Sequence, residues 1–279
     1  MSIPTLKQTL LDYRQKKMAL PAFNIDSFLT YQAVETAVSQ NKLPCIVQLS
    51  SGQDKFIKAE RLFILVKKAQ IDGLPIYLNY DHGQDTARLL SLARLGFDML
   101  HFDGSNLDYS ENIKKATSFR QSLKLIPPQT LLEVEFNHIN LVEQKVQSSS
   151  FTVPSQAKQF IDQTKADLLA VSVGNLHGVS AQNQEKLDLE LLTKIQNIVP
   201  NTFLVMHGGS GIDPNQLDTA IKSGIVKINI NTDLRHILRR SLLKSLATID
   251  SFKAYEFLSP VVSDLTVAII DKLTRFAHV

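Results

Sequence analysis

Short apolar runs rich in β-branched residues recur along this chain at spacings of roughly 22 to 37 residues, with helix-periodic stretches between them. The strand-like runs fall at 20–24, 43–49, 76–80, 99–102, 130–136, 167–173, 203–206 and 225–230. Helical patterning occupies 5–17, about 27–41, 54–71, 86–95, 110–122, 155–164, 187–199 and 214–223. Leu6, Leu10, Leu11 and Tyr13 share one face of the first helix, and Phe56, Ile57, Leu62, Phe63, Leu65 and Val66 give the third a broad apolar stripe. A strand that reads as a continuous apolar run is buried on both faces, as in parallel sheets covered by helices. Eight such units predict an α/β fold of the (β/α)8 TIM-barrel type. A doubly wound open sheet would need fewer strands or a domain split, and no linker-like composition shift appears. Residues 1–279 therefore read as a single barrel domain with a mostly helical extension from about 234, broken at Pro260.

The chain has 279 residues, a usual length for that barrel, and its 44% hydrophobic content suits one core. A net charge of +3 argues neither for nucleic acid nor for an anionic membrane as a partner. The one cysteine, Cys45, lies in an apolar run and allows no internal disulfide. With no apolar leader after Met1 and no run of membrane-spanning length, the expectation is a soluble cytoplasmic protein.

In a TIM barrel the chemistry sits at the C-terminal ends of the strands. Here those ends carry Asn24, Ser50, Asp81 and His82, Asp103 and Ser105, His177, His207, and Asn229, Thr232 and Asp233, with Glu133 and Glu135 on the fifth strand. Three of the 7 histidines fall on this one rim. Three imidazoles with an open position describe a catalytic zinc site, and Asp81, beside one of them, is placed to act as acid or base. The glycines following His177 and His207 let backbone approach an anion, and Ser210 and Thr232 add hydroxyls. His101, inside a strand, reads as a satisfied core histidine; His236 and His278 read as solvent-facing, and His138 lies in a loop near the proposed site. Lys227, in phase with Asn229, points inward and raises the alternative of Schiff-base chemistry, which would leave the rim histidines unexplained.

Five segments occur in order: Tyr80-Asp81-His82-Gly83, Gly96-Phe97-Asp98 with Asp103-Gly104-Ser105, Gly174-Asn175-Leu176-His177-Gly178, His207-Gly208-Gly209-Ser210-Gly211, and Lys227 to Asp233. With these the chain resembles the class II, zinc-dependent fructose-bisphosphate and tagatose-bisphosphate aldolases, from about Pro21 to Asp233. The resemblance implies that His82, His177 and His207 bind zinc and that Asp81 handles the C4 hydroxyl proton. It implies that Gly178, Gly208, Ser210, Asn229 and Thr232 hold dihydroxyacetone phosphate. Asn24, Ser50, Gly209 and Asp233 join the expected substrate set, and Asn229 also the catalytic one. A monovalent cation (Na+ or K+) accompanies the phosphate-binding glycines in some members.

The segment after the fifth strand departs from the family pattern. The family reads Glu-Leu-Gly there, followed by a glycine-rich acidic loop; this chain reads Glu135-Phe136-Asn137-His138-Ile139-Asn140-Leu141-Val142-Glu143. Glu135 falls on a glutamate that ligates zinc in some members, and Glu143 on the loop glutamate that moves a proton at the ketose carbon. Asp26 and Leu29 stand where asparagine and glutamate are usual, and 255–260 offers no clear basic residue for a second phosphate. The expected activity is reversible cleavage of fructose or tagatose 1,6-bisphosphate to dihydroxyacetone phosphate and glyceraldehyde 3-phosphate, by a homodimer or homotetramer. The alternative is a paralogue that binds zinc and a sugar phosphate without turnover.

Overall fold

The computed structural model describes residues 3–137, 139, 150–176, 178 and 186–278. Eight parallel strands, β1 (Leu20–Asn24), β2 (Cys45–Ser50), β3 (Ile76–Gly83), β4 (Met99–Asp103), β5 (Leu131–Glu135), β6 (Leu168–Ala170), β7 (Phe203–Met206) and β8 (Ile225–Ile230), follow one another around a closed barrel. β8 pairs with β1 to close it, with Leu20 opposite Lys227 and Ala22 opposite Asn229. Every residue of β1, β5, β6, β7 and β8 is buried, as two-sided coverage requires.

Alternation along the strands divides the barrel into two environments. One set of side chains packs outward beneath the helices, among them Phe23, Val47, Leu78, Leu100, Leu132, Leu169, Leu204 and Ile228. The inward set begins apolar at the lower end, with Leu20, Ala22, Ile46, Tyr77, Met99, Leu131, Leu168, Phe203 and Val205. The helix α1 (Leu6–Gln15) plugs this end with Leu6, Leu10 and Tyr13. Tyr77 donates its hydroxyl to the Pro4 carbonyl at 2.9 Å, which ties the plug to the barrel. Further along six of the eight strands the inward positions turn polar: Asn24, Gln48, Asn79, His101, Glu133 and Lys227, all buried. The next step carries Asp81, Asp103, Glu135, His207 and Asn229 to the upper mouth.

The helices follow the expected order, with three differences. The stretch 54–71 is two helices, α2 excluded: after α2 (Phe28–Asn41), α3 (Ser51–Ile57) and α4 (Ala59–Ile71) are separated at Lys58, whose φ is 72°. The Asp54 carboxylate accepts the Ala59 N–H at 2.8 Å, so it starts a new helix rather than extending the first. Second, Phe56 on α3 and Leu11 on α1 lie at the surface, outside the apolar faces assigned to them. The third difference concerns Pro260, which lies within the helix α11 (Ala254–Ala277) and does not end it. Val261, Leu265, Ile269, Leu273 and Phe276 form a buried stripe at helical spacing, and α11 packs by it against α2. The Ala19 N–H at the start of β1 donates to the Phe276 carbonyl at 3.0 Å. Among the described residues no helix is long and apolar enough to cross a membrane.

Candidate metal and substrate site

β3 holds the first structural irregularity at the mouth. Tyr80 pairs with Leu100 and Gly83 with Phe102, so β3 advances three residues where β4 advances two. This is a bulge, and His82 within it has φ 52°. In a regular strand Asp81 and His82 would face opposite sides of the sheet. The extra residue lets both reach the cavity in the mouth, whose lining includes Asp81 and His82.

The imidazoles of His82 and His207 meet there, with ring centroids 4.7 Å apart. Each has one nitrogen engaged by a carboxylate. His82 Nδ1 lies 2.8 Å from Asp103 Oδ2, while Asp103 Oδ1 accepts the Ser105 N–H and hydroxyl at 3.0 and 2.6 Å. His207 Nε2 lies 2.7 Å from Glu133 Oε1, and Glu133 Oε2 accepts from Lys227 Nζ at 2.9 Å. Carboxylates at those positions fix the N–H tautomers and aim the remaining nitrogens, His82 Nε2 and His207 Nδ1, at each other across 3.1 Å. Two nitrogens on a tetrahedral zinc at ~2.05 Å lie about 3.3 Å apart. The donor set therefore fits a metal ion between the two rings.

Asp81 sits beside this pair in a net of amide donors. Its Oδ1 accepts from Asn229 at 3.2 Å, and its Oδ2 from Gln48 at 3.1 Å and Asn24 at 3.3 Å. Burial alone would raise its pKa, but His82, His101, His207 and Lys227 hold the carboxyl well below its ordinary range. Glu135 is also buried, and there burial dominates: with help from Asp103 and Glu133 it pushes the carboxyl up to about 7, against His82 and His101.

His101 is not the satisfied core histidine of the sequence reading. It is fully buried, its ring centroid lies 4.8 Å from that of His82 and 5.1 Å from that of His207, and its Nε2 has no hydrogen bond among the described residues. Ligand atoms of Asp81, His82, His101 and His207 all lie within 4.8 Å of one another. Gln48 and Asn79 were not read into the site at all, and Glu133, read as lying on the fifth strand, and Lys227, read as pointing inward, were given no part in holding the rim histidines. The available signal was phase: each is two residues below a mouth residue on its own strand, hence on the same inner face.

Above the rings lies a cavity of about 260 Å³. Asn24, Ser50 and Asn229 wall one part of it, and Gly178, Gly208, Ser210 and Thr232 another, together with Asn231 and Arg235. Gly209 is not on the wall. A Cβ there would lie 2.3 Å from Ile228 Cγ2, so this glycine lets the turn after β7 rest on β8. Asp233 also points elsewhere, its carboxylate 3.2 Å from Lys272 on α11; its N–H donates to Ser210 Oγ. That bond ties the glycine turn to the N-terminus of α10 (Thr232–Thr248), where backbone donors favour an anion. Lys227 bonds Glu133 and Asn229 below the cavity and does not line it, which removes the support for a Schiff base. His236 and His278 are exposed, as expected. His177, His138 and Glu143 lie outside the described residues.

In the metal-free protein, burial opposes charge on His82, but Asp81, Asp103 and Glu135 outweigh it and push its pKa up to about 10. Burial keeps His207 neutral, with its pKa lowered to about 4. The proton between the rings thus belongs to His82, and a metal ion bound between them would displace it. A histidine pKa raised in the folded state stabilises the metal-free fold fully below about pH 6.5, and this contribution is lost as pH rises through about 10. Apparent metal affinity is expected to rise by about tenfold per pH unit between about pH 7 and 9. Competition with a chelator across that range measures it; affinity flat with pH would contradict the assignment of the proton.

The sequence matches the family described as Fructose-bisphosphate aldolase class-II over residues 4–278. It is 33% identical to the fructose-bisphosphate aldolase of Mycoplasma genitalium over 267 residues, covering 91% of this chain and 90% of that one. It is 31% identical to the fructose-bisphosphate aldolase of Streptococcus pneumoniae over 238 residues, covering 84% and 80%. In fold it is similar to the crystal structure of the YdjI aldolase from Escherichia coli K12, with a TM-score of 0.85 at 24% identity over 98% of this chain and 97% of that one.

Proposed function

The chain belongs to the class II fructose-bisphosphate aldolases, a family of lyases, and from that premise we propose that it reversibly cleaves fructose or tagatose 1,6-bisphosphate to dihydroxyacetone phosphate and glyceraldehyde 3-phosphate. The observation that carries this reading is the convergence of His82 Nε2 and His207 Nδ1 beside Asp81, at a cavity walled by a glycine turn and a helix N-terminus. His82 and His207, with His177 as the third imidazole, would hold zinc, and Glu135 stands close enough to join them. A divalent ion held there supplies Lewis-acid polarisation of the ketone oxygen.

The residues of the chain divide the remaining work. Gly178, Gly208, Ser210 and Thr232 bind the phosphate next to the ketone. Asn24, Ser50 and Asn229 orient the hydroxyls. Asp81 accepts the C4 hydroxyl proton; the C4 oxygen becomes the aldehyde oxygen as the C3–C4 bond breaks, and the bonding pair passes to the ketone half. Glu143 then returns a proton to C3. The reading extends to a homodimer or homotetramer in the cytoplasm. Exposed Leu243, Leu246, Phe252 and Tyr255 support the first, and the buried free thiol of Cys45 supports the second.

The test is a cleavage assay with both bisphosphates, with and without a chelator. Cleavage of at least one sugar is expected, abolished by chelation and restored by zinc. Cleavage that survives complete chelation removes the metal from the mechanism. A zinc-loaded protein that cleaves neither sugar is instead a binding paralogue or an aldolase for another aldehyde.

A further inference from the structure

His101 belongs to the imidazole cluster by proximity, yet its hydrogen bonds assign it a different task from its neighbours. The bulge in β3 takes His82 out of step with β4, so its backbone N–H needs a partner outside the regular ladder. That N–H donates instead to the side chain of His101, at Nδ1, across 3.1 Å. The acceptor is in place because His101 shares the inward phase of Met99 and Asp103, directly beside the bulge. A ring that accepts at Nδ1 carries its proton on Nε2 when neutral. That Nε2 faces Glu135 Oε2 at 3.6 Å, and neither atom has a hydrogen bond among the described residues. One nitrogen of His101 is therefore taken by the His82 N–H, and the other bears a proton. In that form the ring has no lone pair left for a metal, although its ligand atoms and those of Asp81, His82 and His207 lie within 4.8 Å of one another.

We infer that His101 is a positioning residue: its Nδ1 holds the left-handed turn at His82, and through it the alignment of His82 with His207, without binding the metal itself. The inference rests on the proposed metal site for its consequence, but the bond it names exists without metal. A strand that keeps a non-glycine residue at φ 52° needs such a restraint, because the regular ladder favours extended backbone at His82.

Three variants separate the possibilities. Asparagine places an acceptor oxygen near the Nδ1 position, glutamine places its polar end near Nε2, and leucine provides neither. Two readouts are taken, neither of them turnover: the zinc dissociation constant by chelator competition, and hydrogen exchange of the His82 amide in the metal-free protein. His101→Leu is expected to weaken zinc binding by about 10- to 100-fold and to speed exchange at His82 selectively. His101→Asn is expected to restore both to within about threefold of the original chain, and His101→Gln is not. Should the leucine variant fail to fold, the contrast between asparagine and glutamine carries the test. If asparagine loses as much affinity as glutamine, His101 is a ligand or a filler and the inference fails. It also fails if leucine leaves His82 exchange unchanged. If the original chain binds no zinc, the metal reading falls, and the exchange pattern alone still decides whether His101 holds the turn.

Discussion

Asp81→Ala is expected to lower kcat by about 10²- to 10⁴-fold while zinc remains bound. The carboxylate sits beside the two aligned imidazoles, and the charges of His82 and Lys227 help to hold it ionised against its burial. Its two oxygens accept from Asn24, Gln48 and Asn229, so the site holds it in one orientation before substrate arrives. Alanine removes the proton acceptor but leaves His82 and His207 with their own carboxylate partners, Asp103 and Glu133. Metal content by elemental analysis should therefore stay near that of the original chain, and KM should change far less than kcat. Three buried amide groups lose a partner, which lowers stability by about 1–3 kcal/mol and is readable in urea. An alanine variant that cleaves substrate at the original rate would refute the proton role. One that loses zinc along with activity would make Asp81 a ligand.

Glu133→Gln is expected to have the largest effect on stability. Glu133 and Lys227 are both fully buried, and the carboxylate bridges Lys227 Nζ and His207 Nε2. Breaking a buried pair by neutralising one member leaves the other charge uncompensated, at a cost of about 3–5 kcal/mol. Burial disfavours the Glu133 charge, but Lys227, His101 and His207 hold its pKa below the ordinary range. A depressed carboxylate pKa stabilises the fold above its unfolded value and loses this as pH falls. The difference between the original chain and the variant should therefore shrink as pH drops below about 4.5. Glutamine also removes the acceptor charge that fixes the His207 tautomer, so zinc affinity should fall by about 10- to 100-fold. Urea unfolding at pH 7 and pH 4, with chelator competition on the same samples, tests both. Unchanged stability at pH 7 would mean that Lys227 finds another partner.

The barrel was legible in the chain because eight apolar runs at the spacing of βα units leave few alternatives. β1 and β8 have the boundaries read from the sequence. The mouth residues could be named because turn glycines and histidines mark the strand ends. The buried polar layer beneath them was harder to see. Glu133 and Lys227 are separated by 94 positions in sequence, and their pairing exists only once the barrel closes. His101 was misjudged for a related reason. One histidine between Leu100 and Phe102 looks like a core residue until the bulge on β3, which no local pattern announces, presents an N–H to it. The break at Lys58 was hidden in the same way, because Asp54 fits a helix interior as well as a cap until its carboxylate takes the Ala59 N–H.

The bond from the Ala19 N–H to the Phe276 carbonyl has a bearing on synthesis at the ribosome. β1 emerges well before β8 and α11, yet one neighbour in the sheet is β8 and its outer cover is α11. Until those segments appear, one side of β1 remains an open strand edge and the apolar face of α2 lacks α11. Early β1–β2–β3 structure must therefore wait for β8 and α11 to emerge before it can become native. This predicts that the nascent chain is most exposed to chaperones just before α11 emerges, and that native protection arrives in a single step once it has.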